Sequence, residues 1–164
     1  MQNDIEVLIE DVRWTETRLI AVATRAVDAT LTDQGVAQAE VSVLGCNDTR
    51  ISVLNSDFRA KPKPTNVLSW PDEDLAPKVD GDAPAAPVPD PSGKISLGDI
   101  AIAYETCAKE AECQGKPLTD HVCHLIVHGT LHLLGYDHVR DQDATLMEAL
   151  EVKILGRLGV PDPY

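Results

Sequence analysis

The stretch from Leu118 to Leu134, followed at once by Gly135, constrains this chain more than any other. It runs seventeen residues with no proline and one glycine, and it stops at a glycine where a helix C-cap belongs. All five histidines fall between positions 121 and 138. His128 and His132 are four apart, so they stack on one helix face about one turn apart. Past Gly135 the chain can turn back and bring His138 toward the same point. The run HGTLHLLGYDH at 128–138 therefore offers two imidazoles on a rigid helix and a third from the turn beyond it. That is the arrangement of zinc hydrolases, with three protein ligands and a fourth position open to water.

A lone histidine on a half-apolar helix is usually packed or solvated, but three at this spacing before a helix-ending glycine outweigh that reading. His121 and His124 share the stripe and can support a ligand, touch substrate or simply be buried. A His124–His128–His132 set is a poor alternative, because its outer members lie about 11 Å apart along a straight helix. One group is missing. In H-E-x-x-H zinc proteases the glutamate after the first histidine is the general base, and here that position is Gly129. A peptidase built on that plan lacks its base. What remains is a Lewis-acid ion with a water of lowered pKa, beside a helix with room for a bulky substrate.

Elsewhere the pattern alternates between strands and helices. Ile5, Val7 and Ile9 read as a strand, Thr15 to about Leu31 as a helix, and AEVSVLG at 39–45 as a second strand. Asn47 or Asp48 can cap a short helix bearing Ile51, Leu54 and Phe58 on one side. TNVLSW at 65–70 reads as a strand ended by Pro71, and KISLGDIAIAYE resumes at Ile95 before a helix through Glu112. A last helix over Asp143–Leu158 carries Met147, Leu150, Ile154 and Leu158 on one face. With 164 residues, this interleaving predicts one α/β or α+β domain over residues 1–164, with one sheet.

Residues 71–93 hold six of the eleven prolines together with Asp72, Glu73, Asp74, Asp80, Asp82 and Asp90. Such a composition predicts an exposed loop or mobile insert over about 72–93, without a core, a fixed site or a part in chemistry. The opening MQNDIEVLIEDVRW is acidic and alternating, unlike a secretion signal, and no apolar run is long enough to span a bilayer. A soluble cytoplasmic protein without a membrane partner is expected. Cys46, Cys107, Cys113 and Cys123 form no CxxC pair and read as reduced, packed thiols. The net charge of −13 excludes indiscriminate coating of nucleic acid. The one basic run, Arg50 to Lys63, sets Arg50, Arg59, Lys61 and Lys63 against Asp57 alone and can form a local phosphate-binding wall.

Three separated blocks, HGTLHLLGYDH at 128–138, FRAKPKPTNVLSWP at 58–71 and LGDIAI at 97–102, together with the closing DPY at 162–164, resemble the YbeY family of bacterial metal-dependent endoribonucleases. The resemblance covers essentially the whole chain except the 72–93 insert. Trp70 stands where the family often has phenylalanine. The resemblance implies a small mixed sheet covered by helices, with the metal helix lining a cleft. It implies one zinc per chain at His128, His132 and His138, and a functional Arg59 facing the metal across the cleft. The implied substrate is single-stranded ribosomal RNA, at the 3′ end of 16S rRNA, with a further role in 70S ribosome quality control. Ribosomal proteins or GTPase assembly factors are the implied partners. Asp137 adjoins a ligand and can act as base or orient His138. The alternatives are a zinc peptidase or amidase, and an assembly factor with a structural metal and no catalysis.

Overall fold

Ile5, Val7 and Ile9 lie on the inner face of the first strand, β1 (Asp4–Ile9), while Asp4, Glu6 and Leu8 face out. The computed structural model describes residues 3–59 and 63–164, with residues 57–59 described in their backbone alone. After β1 come α1 (Arg13–Glu16), α2 (Leu19–Asp33), β2 (Ala39–Cys46), α3 (Asp48–Arg59), β3 (Val67–Pro71) and β4 (Ile95–Ala103). Three more helices follow, α4 (Tyr104–Cys113), α5 (Leu118–Leu133) and α6 (Asp141–Arg157). The four strands form one mixed sheet in the order β1-β2-β4-β3, with β1, β2 and β4 parallel and β3 antiparallel on the edge of β4. The result is a mixed α/β domain of the class expected from the interleaving.

The two faces of the sheet are covered unequally. Val41, Val43, Ile100 and Ile102 meet α2, α5 and α6 in the main core, which encloses Leu31, Ile126, Leu131, Met147 and Ile154. On the other face, among the described residues, Ile51 of α3 packs with the buried Cys46, Leu68, Ala101 and Ala103, and Leu44, Leu54 and Trp70 are partly buried around them. The asymmetry follows from residue size. Alanines on the outer face of β4 accept one amphipathic helix at close range, whereas its inner isoleucines need a full layer of partners. No helix among the described residues is long and apolar enough to cross a membrane.

Two regions depart from the sequence-based expectation. The helix expected from Thr15 to Leu31 is divided, because Arg18 sits at φ 58° in the left-handed region, through which an α-helix cannot continue. The short α1 stays in place because Trp14 is fully buried and its indole N–H donates to the Cys46 carbonyl at 2.9 Å. The Pro- and Asp-rich segment is irregular, as its composition predicts, but it is not coreless. Leu75 is buried and lies over Gly135, where a side chain would strike the Leu75 backbone at 2.8 Å. Gly135 has φ 102°, so the residue that ends α5 must be glycine for both conformation and space. The carbonyls of Pro77 and Lys78 accept hydrogen bonds from the Arg140 guanidinium, each at 2.9 Å.

Candidate metal centre

Helix α5 is buried along almost its whole length, and its packing decides which way the histidines face. Gly129 lies against Ile100 of β4, and a Cβ there would come within 3.3 Å of that side chain. The absent side chain lets the helix settle on the sheet. It also means that position 129 points at the core, where a catalytic carboxylate would have neither room nor substrate. His128 and His132 therefore project to the half-exposed side, at the end of the helix beside β3.

The chain reverses at Gly135 and returns His138 to the same point. Its ring stacks on His128 with centroids 5.1 Å apart, and it lies 5.1 Å from His132. One ligand nitrogen from each of His128, His132 and His138 falls within 4.8 Å of the others. The Nε2 atoms of His128 and His132 face each other at 3.0 Å. Their opposite nitrogens are committed. His132 Nδ1 donates to the Tyr136 carbonyl at 2.9 Å, and His128 Nδ1 lies 2.9 Å from a carboxylate oxygen of Glu151. With both Nδ1 positions acting as donors, the neutral rings turn two Nε2 lone pairs toward one point. Two lone pairs so close repel unless a cation or proton lies between them, so the donor set fits a divalent metal ion. Burial first, and then the neighbouring His128, push the pKa of His132 down to about 4, which keeps it neutral as a ligand must be.

Sequence reasoning missed Glu151. It is 1% exposed on α6 and accepts hydrogen bonds from three directions: His124 Nε2 at 2.7 Å, His128 Nδ1, and the Tyr164 hydroxyl at 2.8 Å. Burial alone would raise its pKa, but the hydrogen bonds from His124 and His128 prevail and hold it at about 2. One signal was readable. Met147, Glu151, Ile154 and Leu155 form a single buried stripe, and a glutamate inside an apolar stripe needs a partner. Tyr164 gave no such signal beyond its place in the DPY run.

The other candidates divide. His124 meets Glu151 rather than the three-imidazole point, and His121 is buried against Glu110 at 2.9 Å, farther back along the helix. The Asp137 side chain accepts the His138 backbone N–H at 2.7 Å and comes within 4.0 Å of His132 Nδ1. It lines a cleft of about 210 Å³ beside His132, together with Ser69, Pro71, Glu73, Asp74 and Tyr136. The expected insert thus supplies two carboxylates to this cleft. Arg50 stands apart, in a largely apolar cavity of about 460 Å³ with Leu8, Leu44 and Trp70, and pairs with Glu10 at 3.5 Å. Lys63 is exposed, and its carbonyl accepts the Asn55 side-chain amide at 3.0 Å. Lys61 and the side chain of Arg59 lie outside the described residues. Of the four cysteines, Cys46, Cys107 and Cys123 are buried, whereas Cys113 is exposed and does not pack as expected.

Fold and site together define a mixed α/β domain that gathers three imidazoles at the end of its most buried helix. Residues 4–159 match the family model described as Endoribonuclease YbeY, and the chain belongs to that family. The Endoribonuclease YbeY of Ruegeria pomeroyi is 59% identical over 162 residues, covering 98% of this chain and 97% of that protein. The Endoribonuclease YbeY of Cereibacter sphaeroides is 57% identical over 167 residues and is covered in full, as is this chain. The fold is shared with the solution structure of TM1509 from Thermotoga maritima, at a TM-score of 0.57 and 18% identity, over 94% of this chain and 91% of that one.

Proposed function

We propose that this chain is a zinc-dependent endoribonuclease specific for single strands, acting in 16S rRNA 3′-end maturation and in 70S ribosome quality control. The observation that carries the reading is the pair of His128 and His132 Nε2 atoms facing each other at 3.0 Å, with His138 alongside. These three residues would hold one zinc ion. Such an ion supplies Lewis-acid polarisation and a water of lowered pKa. The family supplies the substrate class, because its members are named as endoribonucleases.

The cleft beside His132 carries Glu73, Asp74 and Asp137, a wall that repels phosphate. The phosphates are therefore met by the cations of the basic run, Arg59, Lys61 and Lys63. Arg59 neutralises charge growing on the non-bridging phosphate oxygens, for which its planar fork suits better than a lysine. Asp137 has one oxygen committed to the His138 N–H, and its other oxygen is available to receive the proton of the attacking water. A protein of net charge −13 gains little from non-specific contact with RNA, so docking is assisted by ribosomal proteins or GTPase assembly factors in the cytoplasm.

The test is a zinc-loaded preparation incubated separately with single-stranded RNA and with casein, each with a chelator control. RNA cleavage that is lost on chelation is the expected result. Casein cleavage would favour a peptidase, against which the core-facing Gly129 argues. Cleavage of neither would leave an assembly factor with a structural metal.

A further inference from the structure

We infer that Glu151 is a positioning residue of the imidazole cluster, fixing His128 as the Nδ1–H tautomer so that Nε2 is the nitrogen presented to the metal; this rests on the reading that His128, His132 and His138 hold one. The argument begins with a carboxylate in an unfavourable place. Glu151 is 1% exposed on the stripe of α6 that also buries Met147, Ile154 and Leu155. A charge so placed is strongly destabilising unless hydrogen bonds replace the water it has lost. They do so here through His124 Nε2 at 2.7 Å, His128 Nδ1 at 2.9 Å, and the Tyr164 hydroxyl at 2.8 and 3.0 Å from its two oxygens.

An ionised carboxylate only accepts, so each of these neighbours must donate. A neutral imidazole carries one N–H, and in His128 the contact with Glu151 assigns it to Nδ1. The same accounting holds for His124, whose N–H is drawn to Nε2. Its Nδ1 is left buried without a partner among the described residues. An orphaned nitrogen at His124 is an unfavourable arrangement that persists because the carboxylate needs the donor. Tyr164 is 62% exposed, yet its hydroxyl reaches the same buried group and its ring stands edge-on to His124. The network joins α5, α6 and residue 164 at the back of one ligand.

A strut that merely ties α5 to α6 would stabilise the metal-free and zinc-loaded forms alike. A positioning residue changes the affinity for the ion itself, since hydrogen-bond partners of ligating histidines set ring orientation and basicity. Glu151→Gln preserves shape and one acceptor oxygen but removes the charge. Zinc affinity measured by chelator competition should fall about 10- to 100-fold, and the visible absorption of the cobalt(II)-loaded form should shift. Tyr164→Phe, which removes one donor but leaves the carboxylate its charge and its contact with His128, should lose no more than about 10-fold by the same mechanism. Nitrogen-15 shifts of the His128 ring in the unsubstituted, metal-free protein should report a protonated Nδ1, a measurement that needs no variant to fold. An unprotonated Nδ1 there, or a folded Glu151→Gln chain that binds zinc as tightly as its parent, would overturn the inference. A parent chain that takes up no zinc would instead overturn the metal reading, while the tautomer measurement would still decide the role of Glu151.

Discussion

His128 and His132 on α5 differ from His138 on the turn after it in how each ring is held. The two helical rings are half-buried, and each has its Nδ1 tied to a fixed acceptor, Glu151 or the Tyr136 carbonyl. The His138 ring is exposed, and among the described residues it makes no hydrogen bond; only its backbone N–H is tied, to Asp137. Orientation that exists before binding spares the entropy of freezing a side chain when the ligand arrives. The helix thus supplies two rings oriented by hydrogen bonds, and the turn supplies a third that is held by ring contacts with His128 and His132.

The largest expected effects follow from that asymmetry. His132→Ala removes half of the preformed pair, and zinc should be absent after desalting, a loss of at least ~1000-fold or about 4 kcal/mol of binding. His138→Ala removes the ligand whose ring has no hydrogen bond among the described residues, and should weaken zinc by about 10- to 100-fold while leaving measurable uptake. Metal content and competition titration of the two variants decide the matter. Equal losses would break the comparison and make the turn as rigid as the helix. Stoichiometric zinc retained by His132→Ala would remove that residue from the site altogether.

Arg59 separates the metal ligands from the proposed phosphate contact. Arg59→Glu should bind zinc like the parent and melt within about half a kcal/mol of it, as an ordinary surface substitution does. Its single-turnover RNA cleavage should nevertheless fall at least ~100-fold, roughly 2.7 kcal/mol of barrier, with Arg59→Lys between the two. Parent-like cleavage by a folded, zinc-loaded Arg59→Glu chain would confine the functional machinery to the histidines and their support.

What was legible in the sequence was local. The histidine spacing, the stop at Gly135 and the alternation of β1 depend on neighbours within a turn or a few strand residues, and each has its counterpart in the fold. Asn47 illustrates the same point, because its side-chain oxygen accepts the Arg50 N–H at 2.8 Å and caps α3. The illegible features join distant positions. Glu151 meets a histidine 23 residues away, and no periodicity along α6 names that partner. The left-handed Arg18 that divides the first helical stretch is likewise imposed from outside, by the burial of Trp14 against β2. The segment after β3 lay between these cases. Its composition announced irregular backbone and concealed that the backbone is tied down.

That segment yields the smallest prediction, and one that bears on whether it can be separated from the rest. Asp80 Oδ1 accepts the Asp143 N–H at 2.8 Å, and Oδ2 lies 3.3 Å from the Gln142 nitrogen. Both N–H groups belong to the first turn of α6, where they have no partner within the helix. Asp143 returns the bond, its Oδ1 accepting the Gly81 N–H at 2.8 Å while Oδ2 takes the Arg140 guanidinium at 2.6 Å. The loop thus caps from 62 or 63 residues away a helix whose own preceding residue, Arg140, supplies no side-chain cap. Asp80→Ala should lower stability by about 1 kcal/mol, read as an earlier urea midpoint with an unchanged slope. Zinc affinity should stay within about 2-fold, because Glu151 lies two turns farther along α6, roughly 12 Å from the cap. An unshifted midpoint would make the loop an appendage that can be cut away, as its composition alone suggests. A matching fall in zinc affinity would instead mean that tension at the start of α6 reaches Glu151, and that the loop belongs to the support of the histidine cluster.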